Sequence, residues 1–245
     1  MPLKNPMLKD KEKFQQSSIN EEHMTVGGTV AKTFIYLILL LGASLYSFMQ
    51  IQKGTMGMKT SVGLIIGILI ASFVISLITA SVPKIAWLTA PIYATLEGVL
   101  IGFISTMIEH KYPGIVLQAV LATIAVVMAM LFLYVTRIIK VNEKFLNVVK
   151  IATLSVLIIY LVDFALMLCG VSVPFLHDSS PLSIGISLLI IGIASLNLLA
   201  DFFLIEEGVN AKAPKYMESY FGFALLVSIV WLYLEILKFL EKIRK

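Results

Sequence analysis

Cysteine, histidine and charge are all scarce in this sequence, and each shortage excludes a class of function. Cys169 is the only cysteine, so the chain holds no intramolecular disulfide and no thiolate metal cluster. His23, His110 and His177 are the only histidines, and they lie in the first polar segment or where apolar runs end. The sequence has no HExxH pair, no glycine-rich phosphate loop and no serine nucleophile with a suitably spaced base. We therefore expect neither enzymatic activity nor a bound cofactor.

Apolar residues, by contrast, are abundant. Hydrophobic residues make up 59% of the 245 residues and charged residues 14%, and the mean hydropathy is +0.95. A soluble domain of this size carries about a quarter charged residues. The composition predicts a multi-pass membrane protein, whose first partner is the lipid bilayer. The net charge of +4 comes from lysines and arginines in the tails and loops, where membrane topology favours them, and it implies no nucleic acid partner.

Seven apolar runs divide the chain, each close to the roughly 20 residues that cross a bilayer as a helix. Glycine, proline and asparagine interrupt the sequence between them. The pattern predicts an all-α membrane protein, a seven-transmembrane-helix bundle without an independent soluble domain. The runs cover approximately residues 30–50, 61–82, 87–108, 114–136, 146–170, 182–205 and 219–240.

The first 28 residues are polar and differ from the rest of the chain. We expect them to form a disordered cytosolic tail rather than a cleavable signal, whose apolar core would begin closer to the start. The membrane domain is then residues 29–241. With the N-terminus inside, twelve of the 19 lysines and arginines fall on the cytoplasmic side. This distribution favours a cell-membrane protein with a cytoplasmic N-terminus, although the basic C-terminus favours the opposite orientation.

Glycines recur at the spacing that lets membrane helices approach closely. Gly63 and Gly67 form one such pair in the second apolar run, and Gly98 and Gly102 form another in the third. Small residues four apart present one flat stripe along a helix. We interpret both pairs as sites of helix packing.

Four acids lie within apolar runs: Glu97, Asp163, Asp201 and Glu235. Ionisable groups inside a bilayer cost several kcal/mol and usually face a partner or a water-filled path. Asp201 and Glu235 are the strongest candidates for function because each follows a long apolar stretch in one of the last two runs. Glu97 is equally consistent with a structural and a functional role, and Asp163, near the end of its run, favours a structural one.

Helical spacing extends these two acids into a predicted polar patch. Asn197 lies one turn before Asp201, and Ser228 shares a helix face with Glu235. If the two faces meet, the carboxyls cannot easily both be ionised, so the pair would titrate as a unit. It could sense pH or bind calcium transiently through its oxygen atoms. The alternatives are a structural hydrogen bond for Asp201 and an ion pair with Lys238, one turn away, for Glu235.

Five stretches make the chain similar to the Bax inhibitor family, the transmembrane Bax-inhibitor-motif proteins, and within it to the bacterial YccA-like branch. The resemblance extends from about Met24 to Leu240. Together the stretches are specific, whereas any one of them alone would be weak. They are Met24-Thr-Val-Gly-Gly-Thr-Val30, Ala94-Thr-Leu-Glu-Gly98, Tyr112-Pro-Gly-Ile-Val-Leu-Gln118, Leu196-Asn-Leu-Leu-Ala-Asp201 with Ile205-Glu206, and Trp231-Leu-Tyr-Leu-Glu-Ile-Leu237.

The resemblance implies a seven-helix bundle whose central last helix is wrapped by the other six. It also implies a pH-sensitive calcium leak, gated by a hydrogen-bonded acid pair that would here be Asp201 and Glu235. The second acid is Glu where better-studied members have Asp, and the connection between the last two helices is longer. Those members also pair an acid with an arginine near the second helix, whereas Arg137 is the first arginine here and Lys84 the nearest substitute.

Three functions remain open on this reading. The first is a pH-sensitive cation (calcium) leak through the paired acids. The second is an interaction protein that modulates a membrane protease or another quality-control partner, as YccA-like relatives suggest. The third is a proton-coupled transporter, which would also use buried acids. We favour the leak.

Overall fold

Seven long helices make up most of the chain in the computed structural model, which describes residues 22–53, 58–170 and 178–245. All seven are long and apolar enough to cross a bilayer, so the predicted fold class is confirmed over the described residues. A short 3₁₀ turn, Pro83–Ile85, precedes the third helix. The helices are α1 (Val26–Gln52), α2 (Met58–Ser81), α3 (Ala86–Lys111), α4 (Ile115–Val135), α5 (Glu143–Leu168), α6 (Pro181–Asn210) and α7 (Met217–Arg244).

The helices begin where the sequence supplies capping groups. The Thr25 hydroxyl accepts the Gly28 N–H at the start of α1, and the Asn142 side chain accepts the Phe145 N–H at the start of α5. Gly114, at φ 82°, makes the tight turn before α4 in a conformation that favours glycine. These caps satisfy N–H groups that would otherwise lack partners at a helix end.

The apolar side chains divide between lipid and core. Many of the largest, including Phe34, Phe73, Leu117 and Ile151, are more than half exposed, as expected for a lipid-facing surface. α7 is the most enclosed helix, because half of its most apolar stretch is buried, against 11–44% in the other six described spans. This burial agrees with the prediction that the last helix is central.

The chain divides into two compact units. The first comprises the chain up to Phe103 together with Phe203–Leu226, and the second comprises Ile104–Phe202 with Val227–Lys245. The helices α3, α6 and α7 each contribute residues to both units.

The predicted boundary between tail and membrane domain falls inside a helix. Residues 1–21 of the predicted tail lie outside the described part of the chain, whereas α1 already begins at Val26. Just before it, the Met24 N–H donates to the Ala213 carbonyl and the Lys215 N–H donates to the Glu22 carbonyl. The segment Glu22–Thr25 is therefore attached to the connection between α6 and α7, within the first unit.

Only one of the two glycine pairs is a packing site. A Cβ on Gly98 would overlap the Leu40 carbonyl of α1, and one on Gly102 would overlap the Ser44 carbonyl. Gly63 and Gly67 have no atom of the described residues within 4 Å of a built Cβ, so their predicted role in packing is wrong. The spacing was the same in both pairs, but only α3 turns its glycine stripe towards a neighbouring helix.

Replacing Gly98 or Gly102 by alanine is expected to lower the free energy of unfolding by about 1–3 kcal/mol, because a backbone carbonyl cannot move aside as a side chain can. Gly63→Ala and Gly67→Ala are matched controls that should cost nothing or stabilise α2 slightly. Unfolding midpoints of the purified variants in detergent test this. Equal effects in the two pairs would contradict the assigned packing.

Candidate functional site

Asp201 meets Ser228 inside the second unit. Asp201 lies on α6 and is half-buried, and the Ser228 hydroxyl of α7 interacts with its carboxyl. The Oδ2 atom of Asp201 is buried and has no hydrogen-bond partner among the described residues. A buried acceptor without a donor is costly, so this oxygen marks a place where a proton or a cation would be stabilised.

Glu235 is also buried, with 2% of its surface exposed, but its carboxylate is fully engaged. One oxygen accepts a hydrogen bond from the Tyr160 hydroxyl at 2.8 Å, and the other lies 3.1 Å from the Lys238 ammonium. Lys238 also lies over the Tyr160 ring, at 4.7 Å from its centroid. The alternative of a Glu235–Lys238 ion pair is therefore what the structure contains.

The two predicted gate acids lie in separate clusters. Ser228, which meets Asp201, and Glu235 are seven residues apart on α7, a rise of about 10 Å along the helix. No hydrogen bond joins the two carboxyls in the described structure. The resemblance implied a hydrogen-bonded pair, but Tyr160 and Lys238 hold Glu235 two turns away from the level of Asp201. Whether the two residues act together as a gate stays a prediction.

The other predicted polar residues have different partners and do not form one patch. Asn197 donates both amide hydrogens, to the Thr153 hydroxyl of α5 at 2.7 Å and to the Ile193 carbonyl of its own helix at 3.0 Å. Ser228 is the one predicted partner that reaches Asp201. Asp163 lines a cavity with Tyr160 and Glu235. The sequence could not indicate the Thr153 partner, because spacing along one helix does not show which neighbouring helix it faces.

Glu97 belongs to the first unit and has a hydroxyl partner. The Ser72 hydroxyl of α2 donates to its carboxyl at 2.6 Å. Like Asp201, Glu97 is a membrane acid that interacts with a hydroxyl group rather than with a fixed cation. It remains a candidate for a supporting polar role.

A cavity of about 230 Å³ opens beside the Glu235 cluster. Its lining residues come from α5, α6 and α7, and all of them lie in the second unit. No group of three or more His, Cys, Asp or Glu side chains is placed to hold a metal ion in the described part of the chain. Transient calcium binding at Asp201 and Glu235 therefore stays a prediction. The lining residues are Tyr160, Asp163, Ile186, Ser187, Ile190, Glu235, Lys238 and Lys242.

A family model described as "Bax inhibitor 1 like" matches residues 5–245. The chain belongs to the Bax inhibitor family. Comparisons with curated proteins and with solved structures give no match. Family membership and seven apolar helices together make this a multi-pass membrane protein, while its place in the YccA-like branch stays a prediction.

Sequence reasoning did not identify a buried carboxylate outside the predicted patch. Glu218, in the first turn of α7, is 2% exposed and accepts hydrogen bonds from the Thr25 N–H and the Thr25 hydroxyl, both at 3.0 Å. The Lys215 ammonium lies 3.5 Å away, and a Cβ on Gly28 would overlap the carboxylate. We call these residues, with Glu22–Thr25, the N-terminal latch.

The latch has a clear physical basis. The Glu218 carboxylate sits at the N-terminal ends of both α1 and α7, where the helix dipoles favour negative charge. Thr25 and Gly28 both fall in the Met24–Val30 motif, which gives that motif a structural reason. The sequence pattern that could have identified Glu218 is an acid in the first turn of an apolar helix, where a carboxylate is favourable.

Because Asp201 and Glu235 share no partner, Asp201→Asn and Glu235→Gln are expected to change the free energy of unfolding additively, to within about 0.5 kcal/mol. A double-mutant cycle in detergent measures this. Glu235→Gln with Lys238→Met is the matched control, which should be non-additive because the two side chains touch. Coupling above about 1 kcal/mol between the two acids would show that they act as a direct pair.

Glu218→Ala should destabilise the protein by about 1–3 kcal/mol, because it removes the acceptor for two Thr25 donors and the counter-charge of Lys215. Hydrogen–deuterium exchange of the peptide that contains Thr25 and Gly28 should become faster. Glu207→Ala, at the half-buried end of α6, is the control and should leave that exchange unchanged. Unchanged exchange in Glu218→Ala would mean that the latch does not hold the segment.

Proposed function

We propose that this Bax inhibitor family member is a pH-sensitive cation leak of the membrane, with calcium as the first ion to test and Asp201 as the group that responds to pH. The single observation that carries the proposal is the buried Asp201 Oδ2 atom, which has no hydrogen-bond partner among the described residues and lies at the level of Ser228. An acid in that position gains from binding either a proton or a cation.

The proposal assigns different roles to the two predicted gate residues. Glu235 already has a fixed cation in Lys238, so a calcium ion would have to compete with an ammonium group at 3.1 Å. In the part of the chain that the structure describes, the Asp201 carboxyl interacts with the Ser228 hydroxyl rather than with a cation, and carboxylate and hydroxyl oxygens are ligands that hard cations accept. We therefore infer that Asp201 is the primary proton and cation group and that Glu235 acts through the position of α7.

The sign of the pH response follows from charge. When Asp201 is protonated, it is neutral and offers a cation nothing; when it ionises, it attracts one. Cation flux should therefore rise with pH. A proton-coupled transporter would use the same acid but would need a co-substrate, whereas a leak is steady without one.

An interaction protein is the alternative. The N-terminal latch holds Glu22–Thr25 against the connection between α6 and α7, and the sequence before Glu22 is polar. A membrane quality-control protease could bind there without any ion flux. We propose that this face is cytoplasmic, since twelve of the 19 lysines and arginines would then lie on the inner side of the membrane.

Calcium influx into liposomes that contain the purified protein tests the leak. Between about pH 6 and about pH 8 we expect the flux to rise by at least about threefold, because a larger fraction of Asp201 is ionised at the higher pH and attracts the cation. Asp201→Asn should abolish the pH dependence and hold the flux near its low-pH value. Glu235→Gln should shift the flux at all pH values, because it releases Lys238 and Tyr160.

Glu207→Gln is the matched control and should behave like the unchanged protein. No flux above that of empty liposomes at any pH would contradict the leak and favour the interaction protein. A flux that appears only with a co-substrate gradient would instead indicate a coupled transporter.

A further inference from the structure

The cavity beside Glu235 lies close to the ends of its helices rather than at their middle. Ser187 is in the second turn of α6, and Lys242 is in the last turn of α7. In a membrane-spanning helix, such positions are at the level of the lipid head groups. The volume of about 230 Å³ exceeds what a few water molecules need.

Charges in the cavity wall are unequally compensated. Glu235, Lys238 and Tyr160 satisfy one another, as described above. Lys242 donates a 2.8 Å hydrogen bond to the Ser187 hydroxyl and has no carboxylate within 4.0 Å among the described residues. Ser187 is 4% exposed, so the ammonium is anchored to a buried polar group that points into the cavity.

Asp178 and Glu235 attract the Lys242 ammonium from a distance, but each accepts its hydrogen bonds from other groups. Asp178 accepts hydrogen bonds from the Ser180 hydroxyl, at 2.8 Å, and from the Ser180 N–H, and these donors hold the pKa of its carboxyl below the usual value. Arg244, the last residue of α7, donates hydrogen bonds to the Pro113 carbonyl and to the Gln118 side-chain oxygen rather than to an acid. In the described structure the direct hydrogen-bond acceptors of Lys242 and Arg244 are therefore a hydroxyl, a carbonyl and an amide oxygen rather than carboxylates.

From this arrangement we propose that the cavity binds the phosphate ester of a phospholipid head group, with Lys242 and Ser187 as its donors. The lining holds two lysines and two acids, and Lys242 is the lysine whose direct partner is a hydroxyl rather than a carboxylate. A lysine in a pocket between membrane helices at head-group depth is placed to bind a lipid phosphate. The ammonium supplies a charge-assisted hydrogen bond and the hydroxyl a second donor. Asp163, in the same wall, can accept hydrogen bonds from the hydroxyl or ammonium groups that head groups carry beside the phosphate. This site is independent of the proposed leak.

A simpler reading is that Lys242 only complements the helix dipole at the C-terminal end of α7. That role needs no ligand and predicts no saturable binding. Titration of the full chain with a ligand that carries the phosphate therefore distinguishes the two roles of Lys242.

The test follows the thermal unfolding midpoint of the purified protein in detergent during titration with dihexanoyl phosphatidylglycerol. Dihexanoylglycerol, which lacks the phosphate, tests the acyl chains, and glycerol phosphate tests the free ester. We expect a saturable rise of the midpoint with the phospholipid and none with dihexanoylglycerol. Lys242→Gln should weaken the apparent affinity by at least about tenfold, and Ser187→Ala by less, since it removes the neutral donor.

Lys242→Arg keeps the charge and should retain binding. Lys144→Gln, an exposed lysine at the other end of α5, is the control for non-specific attraction and should bind like the unchanged protein. A response to glycerol phosphate as well would show that the ester alone is recognised, and a response to the phospholipid alone would assign the site to lipid. No saturable response, an equal response to dihexanoylglycerol, or equal losses in Lys242→Gln and Lys144→Gln would overturn the proposal.

Discussion

Each polar side chain inside the bilayer must find its partner within the protein, because the lipid offers none. The membrane acids of this chain meet that constraint in different ways. The Glu235 carboxylate interacts with Lys238 and Tyr160, and the Glu97 carboxyl accepts a hydrogen bond from Ser72. The Asp201 carboxyl interacts with Ser228, but one of its oxygens has no donor among the described residues. The acid with the least complete set of partners has the most to gain from a proton or a cation. That difference, rather than the presence of several acids, makes Asp201 the centre of the proposed function.

The same constraint acts at the helix ends, where backbone N–H groups also need acceptors. Glu109 accepts the N–H groups of Gly114 and Val116 at the start of α4, and Glu218 accepts that of Thr25 at the start of α1. These carboxylates are structural, because the helix ends they cap satisfy them. Carboxylates in this chain therefore divide into those that complete the fold and those that the fold leaves partly unsatisfied.

The candidate site was only partly predictable from the sequence. Length and apolarity identified Asp201 and Glu235 as submerged, and spacing placed Lys238 within reach of Glu235. The predicted contact of Asp201 with Glu235 is not present in the described structure, since Ser228, which meets Asp201, lies about two turns from Glu235 along α7. Tyr160 was not foreseen, because a tyrosine in an apolar run looks like any other lipid-facing aromatic residue until a neighbouring helix brings an acid to its hydroxyl.

The sequence by itself determined how many helices cross the membrane and approximately where each begins and ends. It could do so because hydropathy and capping act locally along the chain. Only the tertiary structure decided which way each helix faces. Gly98 contacts α1 while Gly63, at the same spacing, faces open space, and Asn197 turns to Thr153 rather than joining Asp201. A helix presents every direction in each turn, so the rotation that selects one partner depends on packing between helices distant in sequence.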